Sequence, residues 1–284
     1  MGVPYAEVIG DPVAHSKSPL IHKFWLGKLG GAGDYRATRV APEGLAKFLE
    51  SRREDPAWLG CNVTLPHKQA VAGLVDRIDP AARKIGAINT VVRGDSGELV
   101  GHNTDGAGFL EPLRPWLGQP HLFRMARILG AGGAARAVAH ALREEGFTLV
   151  ILARDVAKAE ALRARFDPAH SYAGDLAEFA QPTDFAFDDR AGLLDLVVNA
   201  SPLGMAGQPP LVLDFSHVPP GAIVYDLVYS PVETPLLAEG RARGLPTVNG
   251  LQMLVGQAAT AFELFFRRPA PREHDAELME ALTS

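Results

Sequence analysis

The stretch from Ala126 to Glu145 constrains the fold more than any other part of the chain. A short apolar strand, Ala126–Leu129, runs into Gly130-Ala131-Gly132-Gly133-Ala134-Ala135, which opens an amphipathic helical stretch, Ala134–Glu145. A second strand pattern, Thr148–Ala153, follows at the distance a βαβ unit requires. Glycines in this turn let the backbone approach a pyrophosphate, and the free amides at the helix start bind its charge. Ala135 stands where the third glycine of the dinucleotide fingerprint often falls, and the fingerprint allows alanine there. A tight turn without a ligand is the plainer alternative, and the second strand argues against it.

Strand and helix patterns alternate on both sides of this unit, as in an α/β protein. Before it lie candidate strands Tyr5–Ile9, Tyr35–Val40, Leu59–Thr64, Ala87–Val92 and Leu99–Asn103, the last two joined through Gly94-Asp95-Ser96-Gly97 as a hairpin. After it come Asp195–Asn199 and Ala222–Leu227. Helical periodicity marks Pro19–Leu29, Ala157–Phe166, Pro235–Arg243 and Leu251–Phe266. The polar stretch Gln181–Arg190 reads as a loop. A chain of 284 residues has room for two domains. The expected division is a discontinuous substrate-binding catalytic domain with a mixed sheet, residues 1–106 and 250–284, around a Rossmann-like dinucleotide-binding domain, residues 107–249, with a cleft between them.

With 47% hydrophobic and 21% charged residues, the chain can build a core without a metal or disulfide staple. A net charge of −5 gives no general attraction to nucleic acid or anionic lipid. One cysteine, Cys61, permits no intrachain disulfide and suits a reducing compartment. The first 20 residues lack the basic and apolar regions of a signal peptide. No apolar run approaches a membrane span. The cytoplasm is the expected setting. One cysteine and scattered histidines make no metal cluster, so no metal is expected; His15 and His67 read as structural or solvated.

The end of the second strand bears on the cofactor. A carboxylate there suits the ribose hydroxyls of NAD, whereas an arginine suits the 2′-phosphate of NADP. This chain has Ala153, Arg154, Asp155 and, one turn on, Lys158. Asp155 is explained as a helix cap. Lys158 stands in a first helical turn, where the dipole disfavours a cation unless a phosphate is bound. Arg154 and Lys158 therefore read as a phosphate clamp for NADP, while Asp155 leaves NAD or dual use open.

In the first half, three segments each bring polar residues to an expected helix start. In His15-Ser16-Lys17-Ser18-Pro19, Ser18 is the expected cap and Pro19 the first helical residue. Ser16 adds a second hydroxyl, and two hydroxyls beside free amides suit a carboxylate; a simple capped helix is the alternative. In Asn62-Val63-Thr64-Leu65-Pro66-His67-Lys68, the proline is expected to open a helix with Lys68 in its first turn. The dipole there disfavours the ammonium and favours the amine a base needs; a solvated surface lysine is the alternative. In His102-Asn103-Thr104-Asp105-Gly106, Asp105 is either a cap or a carboxylate brought beside Asn89-Thr90 by the hairpin.

These segments, with Gly86-Ala87-Ile88-Asn89-Thr90, resemble the substrate-domain motifs of the shikimate dehydrogenase family. The similarity continues through the glycine turn, Asn199-Ala200-Ser201-Pro202-Leu203-Gly204-Met205, Asp226-Leu227-Val228-Tyr229-Ser230-Pro231 and Gly250-Leu251-Gln252-Met253-Leu254 to Gln257, nearly the whole chain. The resemblance implies an NADP-dependent oxidoreductase that reduces 3-dehydroshikimate reversibly to shikimate. Lys68 and Asp105 would handle the proton. Ser16 and Ser18 would hold the carboxylate, with Thr64, Asn89, Tyr229 and Gln257 on the ring hydroxyls or carboxylate. Gly130, Ala131, Gly132, Gly133 and Ala134 would bind pyrophosphate, Ala153–Lys158 the adenosine phosphate, and Leu227 and Gly250 would flank the nicotinamide. Ala153 and Asp155 depart from the asparagine and threonine the family often carries there, which bears on NADP preference. Ser18, in place of a bulkier threonine, favours shikimate over quinate. The alternatives are a quinate/shikimate dehydrogenase using NAD or either cofactor, and a non-catalytic cofactor-binding regulator. The expected partners are a small-molecule substrate and cofactor, with no nucleic acid or membrane, and a homodimer as the candidate assembly.

Overall fold

A computed structural model describes residues 2–184, 186–187 and 192–283. The chain forms two compact units, Met1–Gly108 with Leu254–Ser284, and Phe109–Met253.

The first unit is built on a mixed sheet. Its strands are β1 (Tyr5–Gly10), β2 (Asp34–Arg39), β3 (Trp58–Val63), β4 (Arg77–Ile78), β5 (Thr90–Arg93) and β6 (Leu99–His102), in the order β2-β1-β3-β5-β6-β4. β1 runs parallel to β2 and β3, whereas β3, β5 and β6 pair antiparallel. β1 is buried along its whole length, so its sequence is a nearly continuous apolar run. The exception, Glu7, is fully buried and paired with Arg52 at 2.8 Å. One face packs Ile9, Cys61, Val91 and Leu99 against Leu45 and Leu49 of α2 (Leu45–Arg53, preceded by α1, Ser18–Lys28). The other face sets Ala6, Val8 and Tyr35 against Ala261 and Phe265 of the long helix Gly250–Phe266. α3 (Pro80–Ile85) is capped by Asp79, which accepts from the amides of Ala81 and Ala82.

The second unit has an all-parallel sheet. Following α4 (Asp105–Leu110) and α5 (Arg114–Leu117), its elements are β7 (Phe123–Leu129), α6 (Gly133–Glu144), β8 (Thr148–Ala153), α7 (Val156–Phe166), β9 (Tyr172–Asp175), β10 (Leu193–Asn199), β11 (Ile223–Asp226), α8 (Pro235–Ala242) and β12 (Thr247–Val248). The strand order β12-β11-β10-β7-β8-β9 reverses between β7 and β10. This is the doubly wound order, and its reversal point is where such sheets take ligands. Leu142, Phe147 and Leu162 cover one face, and Leu236 and Leu237 of α8 lie in the cluster on the other. The chain ends with α9 (Gly250–Phe266) and α10 (Asp275–Thr283). Among the described residues no helix is long and apolar enough to cross a membrane.

Three local expectations change. α1 starts at Ser18, not at Pro19, with Lys17 at its cap position and no side-chain cap, so Ser18 is not the cap; Ser16 Oγ accepts the Ser18 amide at 3.3 Å. No helix opens at Pro66: residues 65–69 form turns and a 3-10 helix covers Ala70–Gly73. The carbonyl of Lys68 instead accepts the Ile88 amide at 2.7 Å, a tertiary bond that replaces a helical one. β5 begins at Thr90 rather than Ala87, and the Ile88 amide before it donates away from the sheet, to the Lys68 carbonyl. Of the expected loop Gln181–Arg190, residues 181–184 and 186–187 are irregular, and Phe185 and Asp188–Arg190 lie outside the described residues.

Candidate active site

The candidate site of the first unit centres on an ion pair. Lys68 Nζ donates to Asp105 Oδ2 at 2.5 Å, and the two side chains are only 15% and 6% exposed. Asp105 is the first residue of α4, but it does not spend its carboxylate on capping. Asn103 does that, accepting the Asp105 amide at 3.1 Å and donating to the Ala87 carbonyl at 2.9 Å. Both Asp105 oxygens are thus free for side chains, and Oδ1 accepts Asn89 Nδ2 at 2.8 Å. With no helix around Lys68, the carboxylate, and not a dipole, is what the ammonium answers to. A buried ammonium–carboxylate pair is a place where a proton can be held and passed on.

Asn89 is fixed from both sides. Its Oδ1 accepts the Thr104 amide at 2.8 Å and the Thr90 hydroxyl at 3.0 Å, while Nδ2 also donates to Thr104 Oγ1 at 2.9 Å. Gln257, on α9, presents Oε1 to the Thr104 hydroxyl at 3.3 Å. Lys68, Asp105, Asn89 and Gln257 therefore form one cluster. Thr64 stands half-buried immediately after β3, its amide bonded to the Ile9 carbonyl at 2.9 Å. Ser16 is half-buried and Ser18 buried at the start of α1. His67 is a structural residue, its Nε2 2.7 Å from the Val40 carbonyl, and His15 is exposed.

Tyr35 and Asn62 carry no expected role in the sequence beyond their strand and motif. The Tyr35 hydroxyl donates to Asn62 Oδ1 at 2.6 Å, and Asn62 Nδ2 donates to the Thr90 hydroxyl at 3.0 Å. The available signal was an asparagine in an otherwise apolar strand interior, which requires a buried partner.

In the second unit the glycine turn lies at the reversal of strand order. Gly130 has φ +126°, and a Cβ there would press on the Ala200 carbonyl and the Ser201 amide of the loop after β10. Gly132 is the cap residue of α6, with no side chain bonding the helix's first amides, and a Cβ on it would meet nothing within 4 Å. Helix-start amides with no side-chain cap, on a positive dipole end, fit a pyrophosphate. Ala131 lies in the turn, and Gly133 and Ala134 are the first two residues of α6. At the end of β8, Ala153 is buried and Arg154 exposed. Asp155 caps α7 through the Lys158 amide, and its carboxylate lies 3.3 Å from Lys158 Nζ. The Lys158 side chain and amide hold the Asp155 carboxyl below its ordinary range. Lys158 thus has a local partner, whereas Arg154, the other cation expected to meet a phosphate, has no such tie among the described residues.

After β11, Leu227 and Tyr229 are half-buried, and burial pushes the Tyr229 phenol up. Gly250 is required where it stands, since a Cβ would overlap the Leu227 carbonyl.

Residues 8–91 match the family model of the shikimate dehydrogenase substrate binding domain, and residues 250–280 that of the shikimate 5′-dehydrogenase C-terminal domain. A shikimate dehydrogenase (NADP(+)) from Sphingopyxis alaskensis is 52% identical over 284 residues, covering 99% of this chain and 97% of that one. The structure of shikimate 5-dehydrogenase from Thermus thermophilus in complex with NADP(H) and shikimate superposes with a TM-score of 0.81 at 36% identity, over 98% of this chain and 99% of that one. A quinate dehydrogenase from Corynebacterium glutamicum in complex with NAD has a TM-score of 0.82 at 31% identity, over 98% and 99% of the two chains.

Proposed function

Because the chain belongs to the shikimate dehydrogenase family, we propose that it is an NADP-dependent shikimate dehydrogenase, which reduces 3-dehydroshikimate reversibly to shikimate. The observation that carries the assignment of its chemistry is the 2.5 Å contact between Lys68 Nζ and Asp105 Oδ2. The unit Met1–Gly108 with Leu254–Ser284 takes the substrate, and the unit Phe109–Met253 takes the cofactor.

NADPH, when bound, supplies the hydride that converts the ring carbonyl to an alcohol. Lys68 gives its ammonium proton to the carbonyl oxygen and regains one from solvent. In the oxidative direction the Lys68 amine takes the proton of the hydroxyl. Asp105 orients the lysine through Oδ2 and accepts from the same substrate hydroxyl, with Oδ1 anchored by Asn89. Ser16 and Ser18 hold the substrate carboxylate. Thr64, Asn89, Tyr229 and Gln257 hold the ring hydroxyls or the carboxylate. Gly130, Ala131, Gly132, Gly133 and Ala134 cradle the pyrophosphate, Arg154 and Lys158 with Ala153 and Asp155 surround the adenosine phosphate, and Leu227 and Gly250 flank the nicotinamide. A cytoplasmic setting is supported by the single thiol, Cys61, which is buried and free. A homodimer is the assembly we propose, and equilibrium sedimentation tests it.

A second reading, quinate or shikimate oxidised with NAD, is favoured by Asp155 beside Arg154, a carboxylate where NAD enzymes place one. A matrix of initial rates decides: shikimate or quinate, against NADP or NAD, for the wild type and Arg154→Ala. The proposal expects shikimate with NADP to be fastest, and Arg154→Ala to raise the KM for NADP by roughly tenfold or more, the size of a lost charge-assisted hydrogen bond, with NAD little changed. Equal effects on both cofactors sink the clamp, and faster turnover of quinate with NAD replaces the proposal.

A further inference from the structure

We propose that Tyr35, Asn62 and Thr90 are positioning residues: a buried, one-directional chain of hydrogen bonds that sets the amide of Asn89 and, through it, the carboxylate of Asp105. The inference rests on the catalytic role assigned to Lys68 and Asp105 above.

Every link has its donor on the same side. The Tyr35 hydroxyl donates to Asn62 Oδ1 at 2.6 Å. Asn62 Nδ2 donates to Thr90 Oγ1 at 3.0 Å, Thr90 Oγ1 to Asn89 Oδ1 at 3.0 Å, and Asn89 Nδ2 to Asp105 Oδ1 at 2.8 Å. Tyr35 and Thr90 are fully buried, and Asn62 and Asn89 nearly so. Burying polar groups at this density costs free energy unless each is satisfied, and an apolar core of the same shape would avoid that cost. Shape alone therefore does not explain the chain.

The order of donors and acceptors is what the chain enforces. An asparagine amide is nearly symmetric in shape, so packing does not choose between Oδ1 and Nδ2. The Tyr35 hydroxyl has a single proton and gives it to Asn62, which keeps Oδ1 of Asn62 toward the tyrosine. Nδ2 then faces Thr90 and occupies its acceptor, leaving the single Thr90 proton to point at Asn89 Oδ1. Together with the Thr104 amide, which donates to the same Oδ1 at 2.8 Å, this holds Asn89 with Nδ2 toward Asp105. A flipped Asn62 would draw the Thr90 proton to itself, and a flipped Asn89 would set an oxygen against the carboxylate. The Tyr35 ring is in turn clamped by His22, stacked at 3.9 Å with the planes 4° apart. Burial lowers His22 to about 3, so the clamp carries no charge.

Three variants test this: Thr90→Val, which keeps the shape and removes the hydroxyl; Thr90→Ser, which keeps the hydroxyl and removes a methyl; and Tyr35→Phe. Measured per folded enzyme, kcat is expected to fall about five- to tenfold in Thr90→Val and Tyr35→Phe, the size of one lost hydrogen bond, with KM for shikimate moving less than kcat. Thr90→Ser should stay within about twofold of wild type. A merely structural role gives the opposite order, with Thr90→Val at least as active as Thr90→Ser. That order, or a loss confined to thermal stability, overturns the proposal. Lys68→Ala, run beside them, separates the two claims: if it too is near wild type, the assigned role of Lys68 fails, and if it alone is slow, only the positioning chain fails.

Discussion

Asp105, the first residue of α4, and Asp226, the last residue of β11, are both buried carboxylates, and they are held in different ways. Asp105 is met by an ammonium, Lys68, and by one amide, Asn89. Among the described residues Asp226 is met by neutral donors: the Thr234 hydroxyl at 2.7 Å, Asn199 Nδ2 at 2.9 Å and the Val228 amide at 3.0 Å. Burial pushes the Asp226 carboxyl above its ordinary range, against those three hydrogen bonds. A carboxylate beside an ammonium belongs to a pair that can exchange a proton with a third group. A carboxylate surrounded by fixed neutral donors has nothing to exchange with and serves as an anchor. Asp226 ties together the end of β10, the cap of α8 and the Leu227–Tyr229 segment, which carries two of the proposed ligand contacts.

The difference predicts its largest effect at Lys68. Lys68→Ala should lower kcat by about 10²- to 10⁴-fold, the usual contribution of a positioned acid–base group, while shikimate still binds. Steady-state rates with calorimetric binding of shikimate check both halves. Turnover within a few-fold of wild type would make Asp105 an anchor like Asp226 and erase the distinction.

The two units also differ in what they offer a ligand. The first offers side chains locked by one another; the second offers bare backbone at a helix start, and neighbouring glycines there should respond differently. Gly132 has extended backbone angles that alanine adopts freely and open space in front of it. Gly132→Ala should keep or slightly raise thermal stability while raising the KM for NADPH roughly tenfold, as a Cβ excludes the pyrophosphate from the amides. Gly130→Ala, at φ +126° and against the Ala200 backbone, should lose stability outright, by more than the ~1 kcal/mol at stake in a permitted glycine replacement. Melting curves and NADPH titrations of the pair decide; normal cofactor binding by Gly132→Ala would remove the cradle.

The contrast also marks what the sequence could convey. α6 starts within one residue of its expected place because glycine turn, strand and amphipathic period all point to the same element. Lys68 and Asp105 were readable as a pair only through their motifs, since they lie 37 positions apart and meet through the hairpin. The helix expected at Pro66 failed because a tertiary bond, Ile88 amide to Lys68 carbonyl, outcompetes the local pattern. Tyr35 looked like any core aromatic. Its bond to Asn62 depends on the sheet order β2-β1-β3, which no local period encodes. The two-residue strands Arg77–Ile78 and Thr247–Val248 are too short to carry any period.

The smallest expected effect lies at Asp226 and is read as a pH dependence. Unfolded, its carboxyl titrates near 3.8; folded, it titrates higher because burial disfavours the charge. Between those values the folded protein binds more protons than the unfolded one, so this group's contribution is complete below pH 3.8 and is lost as pH rises through the folded value. An asparagine in its place has no proton to lose. In Asp226→Asn, Oδ1 can still accept from Asn199 and Val228, while Nδ2 donates to the Thr234 oxygen. The melting temperature of Asp226→Asn relative to wild type should therefore rise between about pH 4 and pH 7, with other titrating groups cancelling in the difference. A difference that stays flat across that range would mean that Asp226 has a charged partner after all, and that the two carboxylates are held alike.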